Sequence, residues 1–185
     1  EVLSWDGVGA GDYFAGQVVN LHDIDGDSQY EWLVSAWGVD TVYILDSQTP
    51  SIEQAPKWVS TQENNRFGTA VVSLGDIDGD GFIEAAASAP SHGTQKGAVY
   101  LLDESDMTDM ENIPQTYISG GSNWAQFGKS MDNVGDLDGD GLDEILVLAS
   151  GGNGRVRLMG AEEMFDPSFS LADATSFTGW EWAAL

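Results

Sequence analysis

Asp76-Ile-Asp78-Gly-Asp80-Gly-Phe-Ile-Glu84 decides the reading of this chain, because the same nine-residue pattern stands at two further places. The copies are Asp23-Ile-Asp25-Gly-Asp27-Ser-Gln-Tyr-Glu31 and Asp136-Leu-Asp138-Gly-Asp140-Gly-Leu-Asp-Glu144. Each puts carboxylates at loop positions 1, 3, 5 and 9 and a glycine at position 4. Carboxylates packed so closely repel one another unless a hard cation sits among them. Calcium is the natural candidate, since it takes about six to eight oxygens in flexible geometry. Asp and Gly are also ordinary turn residues, so a single copy would mean little. Three copies in register predict three Ca²⁺ sites.

Outward from the loops, the whole chain repeats. The first aspartates fall at 23, 76 and 136, and Phe14, Phe67 and Phe127 stand nine residues before them. A stretch of strand character lies between, such as Thr69-Ala-Val-Val-Ser-Leu74. After the loop comes an apolar run: Trp32–Ala36, Ala85–Ala89 and Ile145–Ala149. A third segment follows at Thr41–Leu45, Ala98–Leu102 and Arg155–Met159. A fourth pairs proline with an aromatic: Pro56 with Trp58, Pro114 with Tyr117, Pro167 with Phe169. Proline suits an edge strand, where its missing N–H faces solvent. Four short strands per repeat, without helical periodicity, predict an all-β chain of β-propeller blades, each of four antiparallel strands.

The phase of the repeat divides residues 1–185 as follows. Residues 1–13 are expected to form an outer strand of a preceding blade and a link, with Val2-Leu-Ser-Trp5 as the strand. Blades one, two and three cover 14–62, 63–122 and 123–173, and 174–185 is the first strand of a further blade, beginning near Phe177. A closed propeller needs about four or more blades, so the ring is expected to be incomplete in this chain.

These elements resemble the FG-GAP repeat of integrin α-subunit propellers and their bacterial relatives. Phe67-Gly68 and Phe127-Gly128 match the FG element, and Ser88-Ala89-Pro90 matches GAP with its glycine lost. The other two copies have degenerated to Ser35-Ala36-Trp37 and Leu148-Ala149-Ser150. The resemblance implies that side chains at positions 1, 3, 5 and 9 and a backbone carbonyl at position 7 bind Ca²⁺. Carried over, the ligands are Asp23, Asp25, Asp27, Gln29 and Glu31; Asp76, Asp78, Asp80, Phe82 and Glu84; and Asp136, Asp138, Asp140, Leu142 and Glu144. Glutamate replaces the usual aspartate at position 9, and its longer arm can chelate with both oxygens. Loop one departs further, with Ser28 and His22 where the others have glycine, and is expected to be the weakest site.

An EF-hand opens with the same residues but needs a bidentate glutamate at position 12 and flanking helices. Position 12 here is Val34, Ala87 and Val147, inside the apolar runs. The chain has 31 acidic against 6 basic residues, a formal net charge of −25, which argues against nucleic acid. It has no cysteine and no apolar run long enough to cross a membrane. Catalysis finds little support: of the two histidines, His22 adjoins a metal loop and His92 sits in the expected loop Ser91–Lys96. The expected function is that of a non-enzymatic, secreted or cell-surface module for adhesion or for binding protein or glycan. The alternatives are a subunit that polymerises by sharing blade strands, and an accessory domain of a carbohydrate-active enzyme.

The partner is expected on the face opposite the calcium loops. That face is formed by Trp37 and Asp40, His92 and Lys96, Asn153, and the stretches around Asn64 and Trp124. Trp37 and Trp124 fit equally well as wedges between blades. If the loops are calcium staples, excess chelator lowers the melting temperature strongly. Asp78→Ala then lowers it more than Asp109→Ala, outside any loop, and equal melts would refute the assignment.

Overall fold

The computed structural model describes residues 3–24, 26–103, 117–121, 123–152 and 154–160. Strands β1 (Phe14–His22), β2 (Glu31–Ala36), β3 (Thr41–Leu45) and β4 (Lys57–Val59) form one antiparallel sheet in chain order. The second sheet repeats that order with β5 (Val71–Gly75), β6 (Glu84–Ala89), β7 (Ala98–Leu102) and β8 (Tyr117–Ser119). A third holds β9 (Phe127–Gly135), β10 (Glu144–Ala149) and β11 (Arg155–Gly160). The chain is therefore all-β and built of propeller blades, and the described sheets do not close into a ring. The strand expected at Pro167 and Phe169, and the one expected at 174–185, lie outside the described residues.

At the N-terminus, residues 3–13 take no strand form. An outer strand needs a third strand beside it, and none precedes it among the described residues. Trp5 instead donates its indole N–H to the Thr49 carbonyl at 3.0 Å and packs against Trp32 at 6.5 Å between ring centroids.

Strand β6 is apolar on both sides because a blade covers each side. In β6, Ala85, Ala87 and Ala89 pack with Leu33, Val42, Ile44 and Phe67 toward blade one. Ala86 packs with Val99, Leu101, Met131, Ile145 and Val147 toward blade three. Alternating side chains on a pleated strand explain the split, and alanine lets both neighbours come close.

Each blade is entered through the same backbone device. The third residue before the phenylalanine, the one directly before it and the one after it all have positive φ. In blade one these are Gly11, Tyr13 and Ala15; in blade two Asn64, Arg66 and Gly68; in blade three Trp124, Gln126 and Gly128. In blades one and two a side chain between the first two fixes the bend. Asp12 Oδ1 accepts the Phe14 N–H at 3.0 Å, and Asn65 Oδ1 accepts the Phe67 N–H at 2.9 Å.

The glycine of the FG pair has a second reason beyond its handedness. A Cβ on Gly68 would sit 2.9 Å from Val42 Cγ2, and one on Gly128 2.6 Å from Ser88 Cβ. Blades meet there, so Gly128→Val combines a left-handed backbone penalty of about 1 kcal/mol with overpacking of about 1–3 kcal/mol. Gly9→Ala, with open space around its Cβ, is expected to melt within about 0.5 kcal/mol of the parent. Denaturant unfolding of the two variants in calcium checks this difference.

Candidate metal centres

Each acidic loop joins the first and second strands of its blade, and the first aspartate organises it. Asp76 Oδ1 accepts the Gly79 N–H at 2.8 Å and Oδ2 accepts the Gly81 N–H at 3.0 Å. Asp136 does the same with Gly139 at 2.6 Å and Gly141 at 3.0 Å. Asp23 holds Gly26 at 2.7 Å and Ser28 at 2.9 Å. Position 4 is glycine because φ there is +81°, +82° and +83° in the three loops.

The ninth residue closes each loop from below. Glu31, Glu84 and Glu144 are all buried, and each takes the N–H of position 2 on Oε2, at 2.7, 2.7 and 2.6 Å. The expected two-oxygen grip is therefore divided: one oxygen is committed to the loop's own backbone. In loop two the other, Glu84 Oε1, is buried with no hydrogen-bond partner among the described residues. Burial, and then the charges of Asp78, Asp80 and Asp103, push the Glu84 carboxyl up, while the Ile77 N–H holds it down. Glu144 is likewise raised by burial and by Asp138, Asp140 and Asp136, against the Leu137 N–H. A raised acid favours folding in its protonated form, so without a cation each glutamate works against the fold as pH rises past the usual carboxylate range.

Carboxylate oxygens of Asp76, Asp78 and Glu84 lie within 4.8 Å of one another, as do those of Asp136, Asp138 and Glu144. Two oxygens facing each other across one calcium ion stand at most about 5 Å apart, so both clusters fit a single ion. Asp80 and Asp140 stand outside these clusters, and their Oδ1 atoms accept the N–H of Phe82 and Leu142, each at 2.9 Å. Those two bonds orient the stretch that carries the expected carbonyl ligands.

Loop one differs in the ways its sequence departs. Asp25 lies outside the described residues. Asp27 is engaged by the side-chain amides of Gln29 and Gln48, and Ser47 donates to Gln29. Ser28 has φ +71°, where Gly81 and Gly141 stand at +99° and +98°. His22 has φ +59° at the position of Gly75 and Gly135, and its exposed ring meets the edge of Tyr30.

The links between blades and the β2–β3, β6–β7 and β10–β11 connections gather on the opposite face. Asp40 accepts the N–H groups of Asn64 at 2.7 Å and Phe67 at 3.1 Å. Carbonyls of Thr94, Gln95 and Lys96 take the N–H groups of Trp124, Gln126 and Phe127 at 3.2, 2.9 and 3.0 Å. Trp37 is half-buried, stacked on Tyr13 at 3.9 Å, with the Arg66 guanidinium 5.9 Å over its ring. Trp124 is 59% exposed, so it is no core wedge. His92 is no loose loop residue either, for its Nδ1 meets the buried Tyr100 hydroxyl at 2.9 Å. Asn153 lies outside the described residues. The roles of Asp12, Asn65 and Asp40 were not legible beforehand, although the Asp/Asn two residues before Phe14 and Phe67 was a usable signal.

Acidic hairpin loops on successive antiparallel blades define a propeller segment built from repeats. Residues 67–102 match the FG-GAP repeat. The chain is 30% identical over 150 residues to integrin alpha-4 of Xenopus laevis, covering 75% of this chain and 14% of that protein. It is 36% identical over 110 residues to integrin alpha-X of Mus musculus, covering 58% and 9%. It is 34% identical over 120 residues to integrin alpha-5 of Xenopus laevis, covering 61% and 11%. The chain thus spans only 9–14% of the length of these relatives. It belongs to the FG-GAP, integrin-α-like family. Among the described residues, no helix is long and apolar enough to cross a membrane.

Replacing Ser28 by glycine relieves a left-handed serine while keeping the N–H that Asp23 binds. Ser28→Gly is therefore expected to stabilise the calcium-loaded protein by about 0.5–1 kcal/mol and to tighten one calcium site. Melts paired with calcium titration check both effects.

Proposed function

We propose that the chain is a non-enzymatic, extracellular, calcium-stapled FG-GAP module that binds a partner on the face opposite its metal loops. The observation that carries the calcium reading is Glu84 Oε1, buried without a partner beside the carboxylates of Asp76 and Asp78. A buried carboxylate oxygen with no donor is costly, and a cation among three acids removes both that cost and their repulsion. Calcium suits the set because every donor is a hard oxygen and the loop is wide and flexible. All fifteen positions at 1, 3, 5, 7 and 9 of the three loops serve as ligands in this reading, one ion to each loop.

Bound calcium does structural work. Each ion ties the end of a blade's first strand to the start of its second, through Asp76 and Glu84 in blade two. Extracellular calcium, at millimolar level, fills sites too weak to load in the cytosol, which supports a surface or secreted location. Partner binding on the other face is supported by Tyr13 and Trp124, both more than half exposed on links held by backbone hydrogen bonds. Residues 14–62, 63–122 and 123–173 are the blades in this reading.

Calorimetric titration of the chelator-treated chain is expected to give three calcium equivalents, and Glu84→Gln one fewer. At a calcium level about 100-fold above a site's Kd, that site adds about 2.7 kcal/mol to stability. Absence of calcium binding, or an unchanged count in Glu84→Gln, would overturn the reading.

A further inference from the structure

Four of the six basic side chains share the face opposite the acidic loops. Arg66 lies in the link before Phe67, and Lys96 lies in the β6–β7 connection. Lys129 is the third residue of β9, and Arg155 opens β11. The register places Arg155 level with Ala149 and Phe127 at that end of blade three. Lys57 and Arg157 lie further along their strands, opposite Tyr43 and Val147. Among the described residues, none of the four bases is joined to a carboxylate in an ion pair. In a chain with 31 acids, that is a lopsided arrangement.

The acids built into the same loops keep their charge, but their oxygens are taken up by backbone N–H groups. Asp12 takes the N–H groups of Gly9 and Phe14, each at 3.0 Å, and these bonds hold its carboxyl below the usual range. Asp40 holds Asn64 and Phe67. Glu63 alone in the link to Phe67 is an exposed acid. The carboxylates of the other end converge on the metal loops.

The surface is also rigid and partly aromatic. Among the described residues, nine of the eleven non-glycine residues with positive φ lie on this face: Tyr13, Ala15, Asp40, Asn64, Arg66, Thr94, Gln95, Trp124 and Gln126. Strained backbone of this kind gathers at functional surfaces. Gln126 is tied from both sides, by Gln95 at 3.1 Å and Ser150 at 2.8 Å. Tyr13 and Trp124 stand 56% and 59% exposed between the bases. Locked loops lower the ordering cost of docking, and exposed aromatics beside arginine are typical anchors.

We propose that this face docks an acidic protein segment, with its carboxylates on Arg66, Lys96, Lys129 and Arg155 and its apolar side chains against Tyr13 and Trp124. The inference rests on the reading that this is the partner face and adds the partner's chemistry. Uniformly charged polyanions are disfavoured by the net charge of −25, whereas a short segment can set its acids on the four bases and clear of Asp12, Asp40 and Glu63.

The test uses the full chain, saturated with calcium, and three labelled peptides of equal length carrying phenylalanine with glutamate, glutamine or lysine. Fluorescence anisotropy is expected to show binding of the glutamate peptide, weakened by salt. The variant R66Q/K96Q/K129Q/R155Q weakens it at least tenfold, while K57Q/R157Q leaves it unchanged. Equal binding by parent and the four-site variant overturns the proposal, as does preference for the glutamine or lysine peptide. If such a preference is lost in Tyr13→Ser/Trp124→Ser, the partner face stands and only the acidic chemistry fails. If no peptide binds, or the aromatic variant changes none of the binding, both fail together. Melting temperatures in calcium confirm that every variant compared is folded.

Discussion

Repulsion among carboxylates whose oxygens lie within 4.8 Å of one another is the constraint around which each blade is arranged. The loop does not relieve it by spreading the acids apart. Asp76 and Asp136 spend both oxygens on backbone N–H groups, which curls the loop and turns its acids toward a common point. The buried glutamate at the far end is pinned by one oxygen to the second residue of the loop. A geometry so determined by main-chain bonds is pre-organised, and what it lacks is charge compensation. The hairpin between the first two strands thus holds a concentration of negative charge that the sheet hydrogen bonds do not relieve.

The opposite end of the blades is governed by a different requirement, close approach without charge. Serine at positions 35 and 88 receives a backbone N–H of its own blade on its hydroxyl while its Cβ meets the glycine of the next. In β10 the corresponding residue is Leu148, half-buried, so the close serine–glycine contact is made twice among the described blades. Left-handed residues around each phenylalanine turn the chain sharply enough to enter a new blade. They leave the side chains between blades, Tyr13, Arg66 and Gln126, to bridge neighbouring loops.

These two ends divide the labour of the chain. The acidic loops occupy one end of the blades, and the other end carries the positive-φ backbone and the exposed rings of Tyr13 and Trp124. Charge is divided in part along the same line, because the hairpin loops gather acids while four of the six bases lie on the other face. Bases gathered at one end of a strongly acidic protein give it an electrostatic asymmetry that can orient an approaching charged molecule.

The residues themselves determined the blades, since phenylalanine, acidic loop and three apolar runs recur at fixed offsets and those offsets admit few other folds. They also determined the odd character of loop one, because Ser28 and His22 replace glycines at positions that need positive φ. Which ligands meet was a tertiary matter. Position 9 reads as a chelating glutamate, yet its burial and its bond to position 2 arise only when the second strand folds beneath the loop. The fates of Trp37 and Trp124 were equally undecidable beforehand, because a tryptophan in a link serves a core or a surface according to which neighbours approach it. Trp37 found Tyr13 and Arg66; Trp124 found solvent. Local spacing specifies what a residue can do, and long-range packing decides which of those possibilities its surroundings permit.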